Sequence, residues 1–284
     1  MLGSKNTLVN GVETRCVDFA DRGFQYGDGI FTTMLVSCGT PLFLGDHLDR
    51  LQRDSARLAL PFPGREILAE EARLLSNANR ESVLKIQLTR GAGGRGYRCP
   101  DEPNPTRVLS CHPAPDYPPE LRNLGIRARL CRARLGINPL LAGVKHMNRL
   151  EQVLARSEWH DDEIREGLML DQEGCVVEGV TSNLFMVNDG RLRTPRIDRC
   201  GVAGVMRSLV IRLAQVQGLA IEETRIYPNE LYEADELFLT NCVIRLWPIR
   251  QFEGLNYEVG TVTRMMQSLV AAMIEEEFRQ PCRG

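Results

Sequence analysis

The sequence predicts an α+β protein built as two domains. Three observations carry that expectation. Segments with the two-residue period of half-buried strands alternate with segments of helical period along the chain. The length of 284 residues, 43% of them hydrophobic and 25% charged, suits one large or two medium globular domains with ample core. Residues 135 to 142, LGINPLLA, hold a proline and no clear period, so the link is expected there. A smaller N-terminal domain then covers 1–134 and a larger C-terminal one covers 143–284.

TLVNG and GIFTTMLVSC read as strands, with PLFL pairing back after the turn at Gly39-Thr40. DHLDRLQRDSARLAL reads as a helix with Leu48, Leu51, Ala56 and Leu58 among its apolar positions. REILAEEARLLSNA is a second helix, after PFPG. Strands SVLKIQLTR and TRVLSCH flank a glycine-rich loop, and a long strand, GIRARLCRARL, precedes the link. GVKHMNRLEQVLAR opens the second domain. From Asn148 its pattern is helical, with Met147, Leu150 and Leu154 on one stripe and Val153 beside it. Lys145 sits before the first full turn. Strands EGLMLD, CVVEG, NLFMVND and RLRTP follow, then helix VMRSLVIRLAQVQG and strand AIEETRI. A short helical NELYEAD precedes strands ELFLTN and VIRLWPIR, and VTRMMQSLVAAMIEEEF forms the last helix. No internal repeat or low-complexity segment interrupts this order.

Composition narrows the function classes. A net charge of -2 offers no basic field for nucleic acid or for an anionic membrane surface. No apolar run approaches the ~20 residues of a membrane span. MLGSKNTLVNGVETR lacks the apolar stretch of a secretory signal. The nine cysteines (16, 38, 99, 111, 131, 175, 200, 242, 282) are scattered, with no CxxC or Cys/His cluster, which argues against a zinc site. The expectation is a reduced, soluble, cytoplasmic protein without a metal.

Residues 91–96, GAGGRG, match the dinucleotide fingerprint G-x-G-x-x-G after a strand. That fingerprint also needs a helix to begin there, so that its N–H groups hold a pyrophosphate. The chain continues YRCPDEPNPT, with three prolines, and reads as a loop. Its glycines let backbone approach a ligand closely, and Arg95 and Tyr97 offer a carboxylate fork and a ring.

Several other residues gain meaning together. The helix near Val205 is approached by RCGVAGVMRS, with Gly201, Ala203 and Gly204 where a capping side chain would stand. Its bare N–H groups suit an anion or water. Thr240 and Asn241 end a strand with groups suited to a phosphate, or simply to a turn. Arg50 lies on a helix and taken alone is a surface arginine. Glu178 lies between Val177 and Gly179, where a buried carboxylate wants a cationic partner. Lys145 taken alone is a solvated lysine. A lysine at an element boundary, a carboxylate in an apolar strand and a phosphate cup at a helix start are jointly what pyridoxal 5'-phosphate needs.

The chain resembles the fold-type IV pyridoxal-phosphate enzymes, the group of branched-chain and D-amino-acid aminotransferases. The shared order is YGDGIF (26–31), HLDRL (47–51), Lys145, EGVTSNLF (178–185), GVMR (204–207) and ADELFLTN (234–241). Within that group it is most similar to the 4-amino-4-deoxychorismate lyases, through YGDGIFTT (26–33), TRGAGGRGY (89–97) and RLGINPLLAGVKHMNRLEQ (134–152). The resemblance implies the two-domain fold of D-amino-acid aminotransferases. It implies Lys145 as Schiff-base lysine, Glu178 on the pyridine nitrogen and Arg50 on the phosphate. The N–H groups of Val205 and Met206, with Thr240 or Asn241, would complete the phosphate cup. It also implies a homodimer with the active site between domains, near the subunit interface.

Aminotransferase members carry Phe-Glu or Tyr-Glu where this chain has Phe31-Thr32-Thr33. That difference favours the lyases, for which the resemblance implies a role for the Thr33 hydroxyl near the lysine. The implied reaction converts 4-amino-4-deoxychorismate to 4-aminobenzoate and pyruvate in folate biosynthesis. Lys145 would take the C4 proton and then protonate the departing enol. Arg95 and Tyr97 would hold one substrate carboxylate. A fold-type IV aminotransferase acting on D-amino or branched-chain acids is the alternative. An idle paralogue would not need both Lys145 and Glu178. Arg245 departs from the family pattern and reads as a substrate contact or, in better accord with the usual exposure of long charged side chains, a surface charge.

Overall fold

The computed structural model describes residues 6–279, and Cys282 lies outside them. The chain divides into two compact units. One takes the described residues up to Pro115 together with Val144–Asn148, and the other takes Asp116–Gly143 and Arg149–Arg279.

The first unit contains β1 (Thr7–Val9), β2 (Val12–Glu13), α1 (Arg22–Tyr26), β3 (Gly29–Ser37), β4 (Thr40–Pro41), α2 (Leu44–Arg57), α3 (Arg65–Ala78), β5 (Ser82–Thr89) and β6 (Thr106–Pro113). Its antiparallel sheet has the order β2-β1-β6-β5-β3-β4. Side chains alternate across a strand, so one face of β3 carries Ile30, Thr32, Met34 and Val36, and all four are buried. Leu84, Ile86 and Leu88 of β5 join them against Leu48 and Leu51 of α2 and Leu68, Ala72 and Leu75 of α3. Val144 belongs to this core, because its segment lies along β3. The Phe31 N–H donates to the Lys145 carbonyl at 2.9 Å, and the Met147 N–H donates to the Gly29 carbonyl at 2.9 Å.

The second unit contains α4 (Pro119–Asn123), β7 (Ile126–Leu135), α5 (Leu150–Arg156), β8 (Ile164–Asp171), β9 (Val176–Gly179), β10 (Asn183–Asn188) and β11 (Arg191–Pro195). After these come α6 (Val205–Val216), β12 (Ile221–Thr224), α7 (Pro228–Tyr232), β13 (Glu236–Asn241), β14 (Arg245–Phe252), β15 (Leu255–Asn256) and α8 (Thr261–Arg279). Its mixed sheet runs β12-β11-β10-β13-β14-β7-β8-β9, with β15 on β14. The pairs β14/β7, β7/β8 and β11/β12 are parallel. Leu168, Leu170, Leu184, Met186, Leu237, Leu239 and Ile249 build the core.

Three expectations change. The boundary lies at Pro115/Asp116, not at 134/135, because β7 hydrogen-bonds to β14 and β8 and so belongs to the second sheet. Lys145, expected to open the second domain, joins the first unit through β3. The apolar stripe of α5 is also reversed. Gln152 and Ala155 are its buried positions, while Leu150, Val153 and Leu154 are 76%, 56% and 64% exposed. Ala155 packs with Cys131, Leu135 and Trp159, a crowded surface that admits a small residue at the contact.

Candidate active site

In the first unit, Lys145 is fixed by its backbone on two sides. Its N–H donates to Asp54 Oδ2 at 3.1 Å, and its carbonyl accepts from Phe31. Burial raises the Asp54 carboxyl, more than its hydrogen bond from Lys145 and the charge of Arg50 lower it. The Lys145 Nζ stands 4.7 Å from the centre of the Phe31 ring. The Lys85 Nζ stands 5.0 Å from the same centre. Thr33 is the cross-strand partner of Lys85 and alternates with Thr32, so Phe31, Thr33 and Lys85 share the half-buried face of the sheet. Burial lowers the Lys85 ammonium, with no acidic partner among the described residues to offset it.

The opposite face of β3 holds a polar knot. Thr32 Oγ1 accepts from Arg50 Nη2 and lies 2.5 Å from His47 Nδ1. All three side chains are buried. Arg50 can only donate, so Thr32 Oγ1 accepts from it, while the direction of the Thr32–His47 bond follows the imidazole tautomer. Burial first, then the charges of Arg50 and Lys145, hold His47 well below the ordinary imidazole range.

In the second unit, Glu178 is buried on β9 and its Oε2 accepts from the Val202 N–H at 2.8 Å and from Asn183 Nδ2 at 3.5 Å. Asn183 Nδ2 also donates to the Val202 carbonyl at 2.9 Å. One amide thus ties the carboxylate to the loop before α6. That helix starts at Gly204 with no side-chain cap. Its first-turn N–H groups, those of Val205 and Met206 among them, therefore lack intrahelical partners. A Cβ on Gly204 would lie 2.2 Å from Asn183 Oδ1, so any other residue here would displace the Asn183 side chain. The turn from β9 to β10 is anchored by Glu166. Its Oε2 accepts from Thr181 N at 3.1 Å, Thr181 Oγ1 at 2.6 Å and Ser182 Oγ at 2.9 Å.

The family profile described as amino-transferase class IV matches residues 29–252, which include every one of these groups. The chain belongs to the class IV amino-transferases. Its cofactor is accordingly pyridoxal 5'-phosphate. Among class IV relatives, an aminodeoxychorismate lyase of Vibrio harveyi is 33% identical over 91% of this chain and 97% of its own length. The crystal structure of 4-amino-4-deoxychorismate lyase from Pseudomonas aeruginosa is 44% identical, with a TM-score of 0.91 over 94% of this chain and 98% of that one. The branched-chain amino acid aminotransferase of Escherichia coli shares the fold, with a TM-score of 0.87, 24% identity and 96% coverage of each chain.

The class IV residues fit the cofactor. A bare helix start suits its phosphate, a buried carboxylate suits a protonated ring nitrogen, and a lysine amine suits its carbonyl. Lys145, Thr33 and Arg50 lie in the first unit, and Glu178, Val205, Met206, Thr240 and Asn241 in the second. Thr240 and Asn241 have protein partners at the end of β13. The Thr240 hydroxyl donates to the Arg245 carbonyl at 2.5 Å, so its one proton is engaged. Asn241 donates to the Thr181 carbonyl at 3.0 Å and accepts from Val243 and Ile244. Both side chains build the β13–β14 turn. Arg245 sits in that turn with φ 63° and is partly exposed.

Arg95 and Tyr97 are exposed on the loop after β5, which forms no helix. Sequence reasoning missed Lys85, His47, Asn183 and Glu166. Lys85 had a visible signal, since a charge between Leu84 and Ile86 must lie on the face away from the core. Asn183 and Glu166 had none, because their importance comes from partners 5 to 19 residues distant. Among the described residues no group of three or more His, Cys, Asp or Glu could hold a metal ion, and no helix is long and apolar enough to cross a membrane.

Proposed function

We propose that this chain cleaves 4-amino-4-deoxychorismate to 4-aminobenzoate and pyruvate with pyridoxal 5'-phosphate, a step of folate biosynthesis. The observation that carries the reading is the half-buried face of the first sheet. There the amines of Lys145 and Lys85 stand 4.7 and 5.0 Å from the Phe31 ring centre, with Thr33 opposite Lys85. The substrate carries two carboxylates, and a second ammonium without an acidic partner is suited to one of them. The lyases of Vibrio harveyi and Pseudomonas aeruginosa support the same assignment.

Each residue has a role in this reading. Lys145 is the covalent anchor of the cofactor. Its amine takes the C4 proton and later protonates the departing enol, so one group serves as base and then acid. The C4–H and C3–O bonds break, the ring becomes aromatic, and the enol becomes pyruvate. The cofactor supplies an electron sink, which Glu178 maintains by keeping the ring nitrogen protonated. Arg50 and the N–H groups of Val205 and Met206 hold the phosphate, within a frame set by Thr240 and Asn241. The Thr33 hydroxyl assists proton transfer. Arg95 and Tyr97 receive the second carboxylate.

The protein acts as a homodimer in the cytoplasm. Leu140, Leu150, Val153 and Leu154 of the second unit are exposed, as are Phe19 and Phe24 of the first. Apolar groups of this size suit burial against a second copy. Unpaired thiols at Cys16, Cys38, Cys99 and Cys111 suit a reducing compartment.

The test is direct. The purified holoenzyme is given 4-amino-4-deoxychorismate without any keto acid. Equal amounts of 4-aminobenzoate and pyruvate are expected. Product that appears only when a keto acid is supplied would replace the lyase reading with a class IV aminotransferase.

A further inference from the structure

Arg22 is a buried guanidinium that none of the roles above uses. Its Nε donates to Asp28 Oδ2 at 2.8 Å. Its Nη1 donates to the carbonyls of Gly96 at 3.0 Å and Arg98 at 3.3 Å, and its Nη2 donates to the carbonyl of Tyr97 at 3.3 Å. One side chain therefore holds three successive carbonyls of a loop more than 70 residues away in sequence. The Tyr26 ring lies under the same guanidinium, 5.0 Å from its carbon. Tyr26 Oη accepts from the Gly96 N–H at 3.2 Å, and its ring meets the Tyr97 ring edge-on at 5.5 Å.

The base of this arrangement is also fixed. Asp28 accepts from Arg90 through Nε at 2.8 Å and Nη2 at 3.0 Å. Arg90 in turn donates to the carbonyls of Leu58 and Ala59 at the end of α2. The near end of the loop is pinned by backbone, with Arg22 N–H donating to the Gly91 carbonyl at 2.9 Å and an Asp21/Ala92 bridge. Gly91 has φ 84°, and a Cβ there would lie 1.8 Å from the Asn104 carbonyl oxygen. At Gly94 and at Gly96 nothing lies within 4 Å of the Cβ position, so the clamp on this part of the loop acts on its backbone groups. The glycine-rich segment is thus held by backbone contacts before its tip and by the Arg22 and Tyr26 side chains after it.

We propose that Arg22, locked by Asp28 and Tyr26, is a positioning residue that holds residues 96–98 in a fixed pose and so presents Arg95 and Tyr97 to the substrate carboxylate. The proposal rests on the lyase reading for the identity of that substrate, and on the hydrogen bonds alone for the clamp. Guanidinium geometry is required. An ammonium cannot serve Asp28 and three carbonyls in one plane. Preorganising the loop lowers the ordering cost of binding, so its loss acts on KM more than on kcat.

The test uses Arg22→Lys and Arg22→Met in the full holoenzyme. Trypsin cleavage after Arg95 and Arg98 in the folded protein should rise by about 10-fold or more, because opening of the loop no longer breaks the clamp. KM for 4-amino-4-deoxychorismate should rise about 10-fold with kcat within about twofold. Tyr26→Phe removes only the acceptor of Gly96 N–H. It should show both effects at about two- to fivefold, which keeps the test open if the Arg22 variants fail to fold. Unchanged cleavage in folded variants overturns the clamp. Faster cleavage with unchanged KM, or an equal fall in kcat, overturns its role in recognition. If the wild-type enzyme releases no 4-aminobenzoate, the lyase reading fails by itself, and the cleavage rates still decide the clamp.

Discussion

Replacing Thr32 by valine tests the buried knot beside Lys145. The side chain is fully buried on the core face of β3, so the change keeps the shape and removes only a hydroxyl. That hydroxyl accepts from Arg50 and shares a hydrogen bond with His47 Nδ1. Its loss leaves a charged donor and a neutral imidazole nitrogen facing a methyl group in a place water does not reach. A buried hydrogen bond to a charged group is worth about 1.5–3 kcal/mol, and an orphaned neutral polar group costs about 1–3 kcal/mol. Partial relaxation of the long Arg50 side chain offsets some of this, so the expected loss is about 2–4 kcal/mol in urea unfolding. At about 2–4 °C per kcal/mol for a chain of this size, Tm should fall by about 5–10 °C. Arg50 also carries the proposed phosphate contact, so the variant should lose cofactor faster on dialysis. Thr33→Val is the internal control. It lies on the opposite, half-exposed face and should change stability by less than about 0.5 kcal/mol. If Thr32→Val matched that control in stability and in cofactor retention, the Thr32, His47 and Arg50 contacts would have no energetic meaning.

Further outcomes follow from the same geometry. Lys145→Ala should abolish covalent cofactor attachment, and borohydride trapping with peptide mapping should place the label on Lys145 in the parent; label on Lys85 instead would reverse the two lysines. Glu178→Gln should retain the cofactor but lower kcat far more than it raises KM, since a neutral amide cannot keep the ring nitrogen protonated; an unchanged kcat removes Glu178 from the mechanism. Thr33→Ala should slow 4-aminobenzoate release by up to ~10²–10⁴-fold if its hydroxyl moves a proton, and a loss below about threefold would leave it a wall of the site. Burial raises the Asp28 carboxyl, but hydrogen bonds from Arg90 and Arg22 more than reverse this and hold it below its ordinary value. The folded state then binds fewer protons than the unfolded one, so its contribution is complete above about pH 4 and is lost as pH falls through the folded value. Asp28→Asn should flatten the acid limb of the stability curve, and equal slopes would refute this. Exposed Cys16, Cys38 and Cys99 should react with a thiol reagent in the native protein. Cys131 and Cys200 are buried, which pushes their thiols up to about 12, and they should stay silent until unfolding.

The sequence by itself determined the local elements and marked the candidate site residues. Alternation in GIFTTMLVS marked β3, and the helical period of REILAEEARLLSNA marked α3, because each pattern reflects one face meeting a core. Glycines and missing caps before Val205 marked a helix start with bare amides, a property of the backbone that needs no distant partner. Glu178 stood out for the same reason, as a charge inside a run of apolar strand residues. Tertiary structure decided the rest. Only pairing shows that β7 joins the second sheet, since an apolar strand edge carries no label for its neighbour. Only the ladder beside β3 shows that Lys145 belongs with Phe31 and Asp54 rather than with the helix that follows it. The stripe on α5 misled because period identifies an amphipathic face but not which side meets the core, and Ala155 fits where leucine does not. The Arg22 clamp, the Thr32 knot and the Glu166 anchor lay beyond any local pattern. Each depends on polar groups brought together by folding, where burial turns an ordinary hydrogen bond into one that is costly to lose.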